Sequence, residues 1–283
     1  MIIVTGATGQ LGRAVIKSLV RRIPAAEVGA SCREPAKAAD LAALGVRVRR
    51  GDFDDLASLV EAFEGATQVL IVSSNARAYG GDAIAQHRTA IEAARRAGAR
   101  RLAYTSHMAA NASSHFSPML DHAATEAMLA ESGLAWTSLR HGFYATSGVA
   151  LLGDAKNTGL IEAPADGKVS WTAHADLAEA DAAILVKEGC FDGPTPPLTG
   201  SEALDLADLA DVASGVWGRP VRRAFIGEDE LRARMAKRGL PPIVGEISVG
   251  LYRASHAGEF AVVDPTLEQL IGHPPTRIAS LVR

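Results

Sequence analysis

The chain has 283 residues, 48% hydrophobic and 22% charged, with 27 glycines, a composition that excludes a disordered or fibrous chain and leaves room for two domains of ~150 residues. Lys and Arg total 29 against 32 Asp and Glu, and the arginine pairs at 21–22, 49–50, 95–96 and 100–101 are scattered, so no nucleic-acid footprint is present. Cys32 and Cys190 form no disulfide framework and no metal-ligand spacing, and no apolar run reaches the ~18 residues of a membrane span, so a metal-free cytoplasmic protein with no membrane partner is predicted.

In chain order, short β-rich runs alternate with segments of helical period, the pattern of a doubly wound parallel α/β sheet. Strands are predicted at Ile2–Thr5, Val28–Cys32, Val46–Arg50, Gln68–Val72, Arg101–Thr105 and Trp136–Leu139. Between them, Leu11, Val15, Ile16 and Leu19 share one helical face, and Leu56, Leu59, Val60 and Phe63 share another, with Asp54 or Asp55 as its cap. A helix is expected over Leu120–Ala130. After Tyr144 the alternation weakens. A strand at Lys168–Trp171, a helix from Asp176 through Leu185 and a short strand near Leu198 could extend the sheet. The tail then reads as mostly helical, with a stripe of Leu209, Val212, Ala213 and Val216 and a charged, solvated helix at Glu228–Lys237.

Thr5-Gly6-Ala7-Thr8-Gly9-Gln10-Leu11-Gly12 joins the first strand to the first helix. A glycine-rich strand-turn-helix brings backbone close to a pyrophosphate and offers the free N–H groups of a helix start to it, so Gly6, Ala7, Thr8, Gly9, Gln10 and Leu11 are predicted along a dinucleotide, with Gly12 packing helix on strand. A packing turn without ligand is the alternative. At the end of the second strand Arg33, with Lys37 a turn later, favours the 2′-phosphate of NADP over the NAD ribose, while Glu34 argues the other way. Asp52 ends the third strand either at an adenine or in a plain turn. Ser73, Ser74 and Asn75 leave the fourth strand, and Thr105 and Ser106 the fifth, all at carboxyl ends.

The Tyr-x-x-x-Lys pair of short-chain dehydrogenases is absent, since four residues after Tyr79, Tyr104, Tyr144 and Tyr252 stand Ala83, Met108, Gly148 and His256. No HExxH or GxSxG occurs. His122, near the start of a helix after the fifth strand, is a candidate for contact with nicotinamide or substrate, against an ordinary capping or surface role. Phe143 and Tyr144, leaving the sixth strand, are expected to wall a flat acceptor, the alternative being simple packing.

TGATGQLG, Arg33-Glu34-Pro35-Ala36-Lys37, Tyr104-Thr105-Ser106, His122-x-x-Thr125-Glu126, Leu139-Arg140-x-Gly142-x-Tyr144 and Leu270-Ile271-Gly272-His273-Pro274 together resemble the atypical short-chain dehydrogenases of the NmrA-like group, nearest the type 2 NAD(P)H:quinone oxidoreductases and triphenylmethane reductases. The resemblance implies an NADPH-binding Rossmann domain over residues 1–149, with 168–189 packing onto it, and a smaller, mostly helical substrate-capping region over 190–283. It implies flavin-free hydride transfer to a quinone or related planar acceptor, with the homodimer left open as an assembly. A non-enzymatic NADP(H) sensor is the competing function. Matched by position, cofactor contacts fall on Gly6–Leu11, Arg33, Ser73–Asn75, Arg140, His141, Gly142, Phe143 and Tyr144, and His122 and Tyr144 become the catalytic candidates. The sequence departs from the quinone reductases in a longer loop at Asn75–Asp82, in Ser113–Ser117, and in Phe143, where a tryptophan is usual.

Overall fold

A computed structural model describes residues 1–283. The elements run β1 (Ile2–Val4), α1 (Gln10–Leu19), β2 (Val28–Cys32), α2 (Ala39–Ala43), β3 (Arg47–Arg50), α3 (Leu56–Ala62), β4 (Gln68–Ile71), α4 (Ala83–Arg96), β5 (Arg101–His107), α5 (Pro118–Ala130), β6 (Ala135–His141), β7 (Phe143–Tyr144), α6 (Ala145–Leu151), α7 (Ala155–Thr158), β8 (Leu160–Ala163), β9 (Trp171–Thr172), α8 (His174–Val186), β10 (Gly193–Pro194), α9 (Leu206–Trp217), β11 (Arg222–Phe225), α10 (Glu228–Lys237), α11 (Pro242–His256) and α12 (Thr266–Ile271).

The chain divides into two compact units, each assembled from three segments. The first holds 1–106, 121–140 and 174–196, and the second holds 107–120, 141–173 and 197–283. This differs from the expected cut at residue 149. Residues 107–120, 141–149 and 168–173 belong to the second unit, and 190–196 to the first, because the chain leaves the sheet after β5 and β6 and returns to it, so of the expected 168–189 segment only 174–189 packs with the first unit.

In the first unit a seven-stranded sheet has the order β10-β6-β5-β4-β1-β2-β3. The parallel partners of β1 are β2 and β4, so strand order reverses beside it. Strands β1, β2, β4 and β5 are buried along their whole length, as parallel strands covered on both faces must be, so none of them shows a polar face alternating with an apolar one. Helix α1 buries Leu11, Val15, Ile16 and Leu19 on one face and lies against α8, where Arg22 bonds Glu179 at 3.0 Å. Asp55 caps α3 by accepting the Ser58 N–H at 3.1 Å, one of the two caps expected there. The helical layer on the other side closes around Phe63, Ile91, Tyr104 and Leu129.

The second unit is built around Phe143, Trp171, Leu209, Tyr252 and Phe260. Two small parallel sheets support it, β8 with β11 and β7 with β9. The strand expected at Lys168–Trp171 as an extension of the main sheet is therefore corrected: only Trp171–Thr172 is a strand, and it pairs with β7. The last strand of the main sheet is instead Gly193–Pro194 on β6, while Leu198 makes a single bridge to His141. No helix is long and apolar enough to cross a membrane.

Candidate functional site

The glycine-rich turn leaves β1 where the strand order reverses, the place at which open α/β sheets bind ligands. Gly6 has φ +58°, a left-handed conformation that a side chain would strain, and its carbonyl accepts the Gly9 N–H at 2.9 Å to close the turn. Gly9 caps α1 in extended conformation without any side-chain bond, so the first N–H groups of the helix face outward with no protein acceptor from the cap. A Cβ on Gly12 would lie 2.5 Å from the Gly6 carbonyl oxygen, so only glycine lets the helix sit this close to the turn. Gly6, Thr8, Gly9 and Gln10 are exposed, whereas Ala7 and Leu11 are buried and can offer a ligand only their backbone. This is a cradle for an anion: a helix N-terminus, a glycine turn and no side chain in the way.

Beyond β2, Arg33 is exposed and pairs with no group of the protein. Its neighbour Glu34 is tied to Lys37 at 2.7 Å, and Arg13 is held by Asp40 and by the Lys37 carbonyl. The carboxylate that argued for NAD is thus engaged by a lysine, and the arginine stands alone. Asp52, offered equally as an adenine contact and as a turn residue, is in a turn: its Oδ1 accepts the Asp54 N–H at 3.2 Å and its own N–H donates to Ser58 Oγ at 3.0 Å.

The loop leaving β4 is fixed through its backbone. The N–H groups of Val72, Ser73 and Ser74 donate in succession to Thr5 Oγ1 at 2.9 Å, Thr105 Oγ1 at 2.8 Å and His87 Nε2 at 2.8 Å. Since His87 Nε2 accepts, the neutral ring carries its proton on Nδ1, which donates to Thr125 Oγ1 at 2.8 Å, and that hydroxyl donates on to the Asp121 carbonyl at 2.7 Å. Burial lowers the His87 pKa to about 4, so the neutral form this chain requires is the one present at neutral pH. Asn75 is exposed and heads the short turn Ala76–Tyr79.

Helix α5 contributes His122, Thr125 and Glu126. The half-buried His122 ring bonds through Nδ1 to the hydroxyl of the fully buried Tyr104 at 2.8 Å. Glu126 accepts from Ser106 Oγ and Ser138 Oγ, each at 2.7 Å, and takes both prongs of the Arg140 guanidinium. Arg140, expected at the cofactor by its sequence position, thus has Nε and one terminal nitrogen committed to a buried carboxylate, and its own pKa is raised by that bond. Tyr104 and Glu126 were not singled out as site residues from sequence. The only signal for them was their presence in the two short segments Tyr104–Ser106 and His122–Glu126.

In the second unit His141 is buried, and its carbonyl accepts the Met108 N–H at 2.8 Å. Gly142 is required by packing, because a Cβ there would fall 2.3 Å from Thr172 Oγ1. Phe143 is 9% exposed, and its ring makes edge contacts with His107, Trp171 and Phe260 at 5.1–5.5 Å and a tilted one with Phe116 at 5.7 Å. The expectation that Phe143 walls an acceptor is corrected: it is a core residue, drawn inward by the aromatic cluster around it. Tyr144 is half-buried at the head of α6, with its ring 6.5 Å from that of His141.

Residues 6–187 match the model of a family described as NAD(P)H-binding. The chain is 37% identical over 283 residues to quinone oxidoreductase 2 of Escherichia coli, covering 100% of this chain and 97% of that relative. It belongs to this NAD(P)H-binding family. The crystal structure of the Escherichia coli NADPH-dependent quinone oxidoreductase QOR2 with NADPH superposes with a TM-score of 0.92 at 36% identity, covering 99% and 98% of the two chains. The crystal structure of the Citrobacter sp. triphenylmethane reductase complexed with NADP(H) is also similar, at a TM-score of 0.89 and 32% identity over 100% and 99% of the two chains. An NmrA-like family domain-containing oxidoreductase of Aspergillus flavus is 29% identical over 99% of this chain and 93% of that relative, so the resemblance to the NmrA-like group holds across nearly the full length.

Proposed function

We propose that the chain is an NADPH-dependent, flavin-free reductase that passes hydride to a quinone-like planar acceptor. The observation that carries this reading is Arg33, exposed and unpaired beyond β2 while Glu34 is neutralised by Lys37, in a chain with full-length likeness to NADPH-dependent quinone oxidoreductase. Gly6, Thr8, Gly9 and Gln10 would hold the pyrophosphate at the start of α1, Arg33 the 2′-phosphate, and the fixed Ser73–Asn75 backbone the edge of the crevice. NADPH supplies two electrons and one hydrogen as hydride. An electron-poor quinone that accepts hydride then needs only one proton on an oxygen, which water can give, so orientation is the main work left to the protein. His122, steadied by Tyr104, and Tyr144 are the side chains proposed to touch the acceptor. A cytoplasmic location is part of the same proposal and rests on the two free cysteines.

The test is a titration of NADPH and NADH against wild type and Arg33→Ala. A charge-assisted bond of ~1.5–3 kcal/mol predicts that the variant loses roughly ten- to a hundred-fold in NADPH affinity and little in NADH affinity. Equal wild-type affinities, or a preference the variant keeps, would overturn the assignment. NADPH oxidation with and without benzoquinone then separates a reductase from a cofactor sensor, which would bind without turnover.

For His122→Ala a smaller effect is expected. Because the proton is easily supplied, kcat should fall by less than the ~10²–10⁴-fold typical of a general acid. A folded, NADPH-binding variant with no turnover would make His122 the proton donor.

A further inference from the structure

We infer that Tyr79 selects the acceptor, offering its ring as a stacking platform for flat, multi-ring molecules of neutral or positive charge. The inference rests on the hydride-transfer reading and adds a specificity residue to it. Tyr79 ends the short turn Ala76–Tyr79, which leaves the carboxyl end of β4 beside the reversal of strand order. At 81% exposure it is more open to solvent than any other large hydrophobic side chain of the molecule. Nothing in the protein covers its ring, although an uncovered ring gains most from a flat partner.

An exposed tyrosine on a floppy loop would be an ordinary surface residue, but this turn is built. Its base is closed by Ala76 N–H to Ser74 Oγ at 3.1 Å, Ala78 N–H to the Asn75 carbonyl at 3.1 Å, and Gly81 N–H to the Ala76 carbonyl at 2.9 Å. Gly80 turns the chain at φ +79°, and Asp82 caps α4 directly afterwards. Arg77 reaches across to α5 and grips buried Asp121 with two nitrogens. That pair fixes the turn in place and also cancels the one charge it carries. The turn therefore presents a π face without a net cation beside it, which suits a neutral quinone or a cationic dye better than an anionic ring system.

The experiment measures KM for benzoquinone, with one ring, and phenanthrenequinone, with three fused rings, in wild type, Tyr79→Ala and Tyr79→Phe. Tyr79→Ala should raise the phenanthrenequinone KM about three- to ten-fold, change benzoquinone much less and leave the KM for NADPH unaltered, while Tyr79→Phe keeps wild-type values. An unchanged phenanthrenequinone KM, or an equal rise for both quinones, overturns the inference. A parallel equilibrium titration of phenanthrenequinone into NADP⁺-saturated protein keeps the two readings apart. Binding without any turnover would sink the reductase reading, and the affinity ratio of Tyr79→Ala to wild type would still decide the role of the ring. Failure of wild type to bind phenanthrenequinone would overturn it outright.

Discussion

Phe143→Ala should cost about 3–5 kcal/mol of stability, the usual range for removing a buried phenylalanine, and should lower the melting temperature by many degrees. The ring touches Phe116, Trp171, Phe260 and His107, so its loss would open a cavity that those rigid rings cannot collapse into. Phe143→Leu, which keeps most of the volume, should recover more than half of the loss. Thermal denaturation and acceptor kinetics on the same samples decide the matter. If the ring were a wall for the acceptor, the alanine variant would melt like wild type and show a raised KM for quinone. The aromatic cluster predicts the reverse, with folded protein that binds NADPH and acceptor normally but unfolds early.

Acidification should be the other large destabilisation. Burial holds His87 at about 4 and His107 at about 3, both below the ordinary value of 6.5. A lowered histidine pKa means that the unfolded chain binds the proton more readily than the folded one. The stabilisation is therefore complete above pH 6.5, declines as pH falls, and is lost once pH passes the folded value. At about 1.4 kcal/mol per unit, His87 alone accounts for on the order of 3 kcal/mol between neutral pH and about 4. The structural reason is specific, since protonated Nε2 can no longer accept the Ser74 N–H. Urea denaturation at several pH values should show the decline, and His87→Gln, whose amide can accept from Ser74 and donate to Thr125, should make it shallower while leaving the part due to His107. A variant with the wild-type pH slope would remove His87 from the explanation.

Much of the first unit was legible because its physics is local. Strands β1 and β4 read from apolar runs and the other strands from the alternation of short β-rich runs with helices, while α1, α3 and α9 read from helical period and α10 from its charge. Predicted ends fell short at β5 and β6, which continue through Ser106-His107 and Arg140-His141, because Ser106 and Arg140 are held by Glu126 on α5, and the Arg140 N–H by Thr195, rather than by an apolar pattern. Strands β8 and β11 were missed for a related reason. Leu160–Ala163 and Arg222–Phe225 are four residues each, one of them carrying two arginines, and each is a strand only because the other is. The glycine turn was legible from composition in context, since Gly6 and Gly12 answer to backbone geometry that any sequence with that turn must satisfy. The pairs that organise the rest of the site, Tyr104 with His122, Glu126 with Arg140 and Arg77 with Asp121, join residues on different elements, and no local pattern announces them. Phe143 was misjudged because position in the chain places it after β6, while only its neighbours tell which way the ring turns.

The threading of the two units bears on how this protein can be cut. Because each unit is made of three segments, the backbone passes from one to the other five times, and no single break yields either unit whole. A fragment ending at 196 would contain every strand of the main sheet, yet it would also carry Phe143 and Trp171 stripped of Leu209, Tyr252 and Phe260. Such a fragment should aggregate rather than survive as a free-standing dinucleotide binder, and a catalytic half cannot be borrowed for a fusion by trimming the tail. Recombination between relatives faces the same constraint. A chimera joined at one point would mix halves of two cores, so exchange of one unit requires swapping 107–120, 141–173 and 197–283 together.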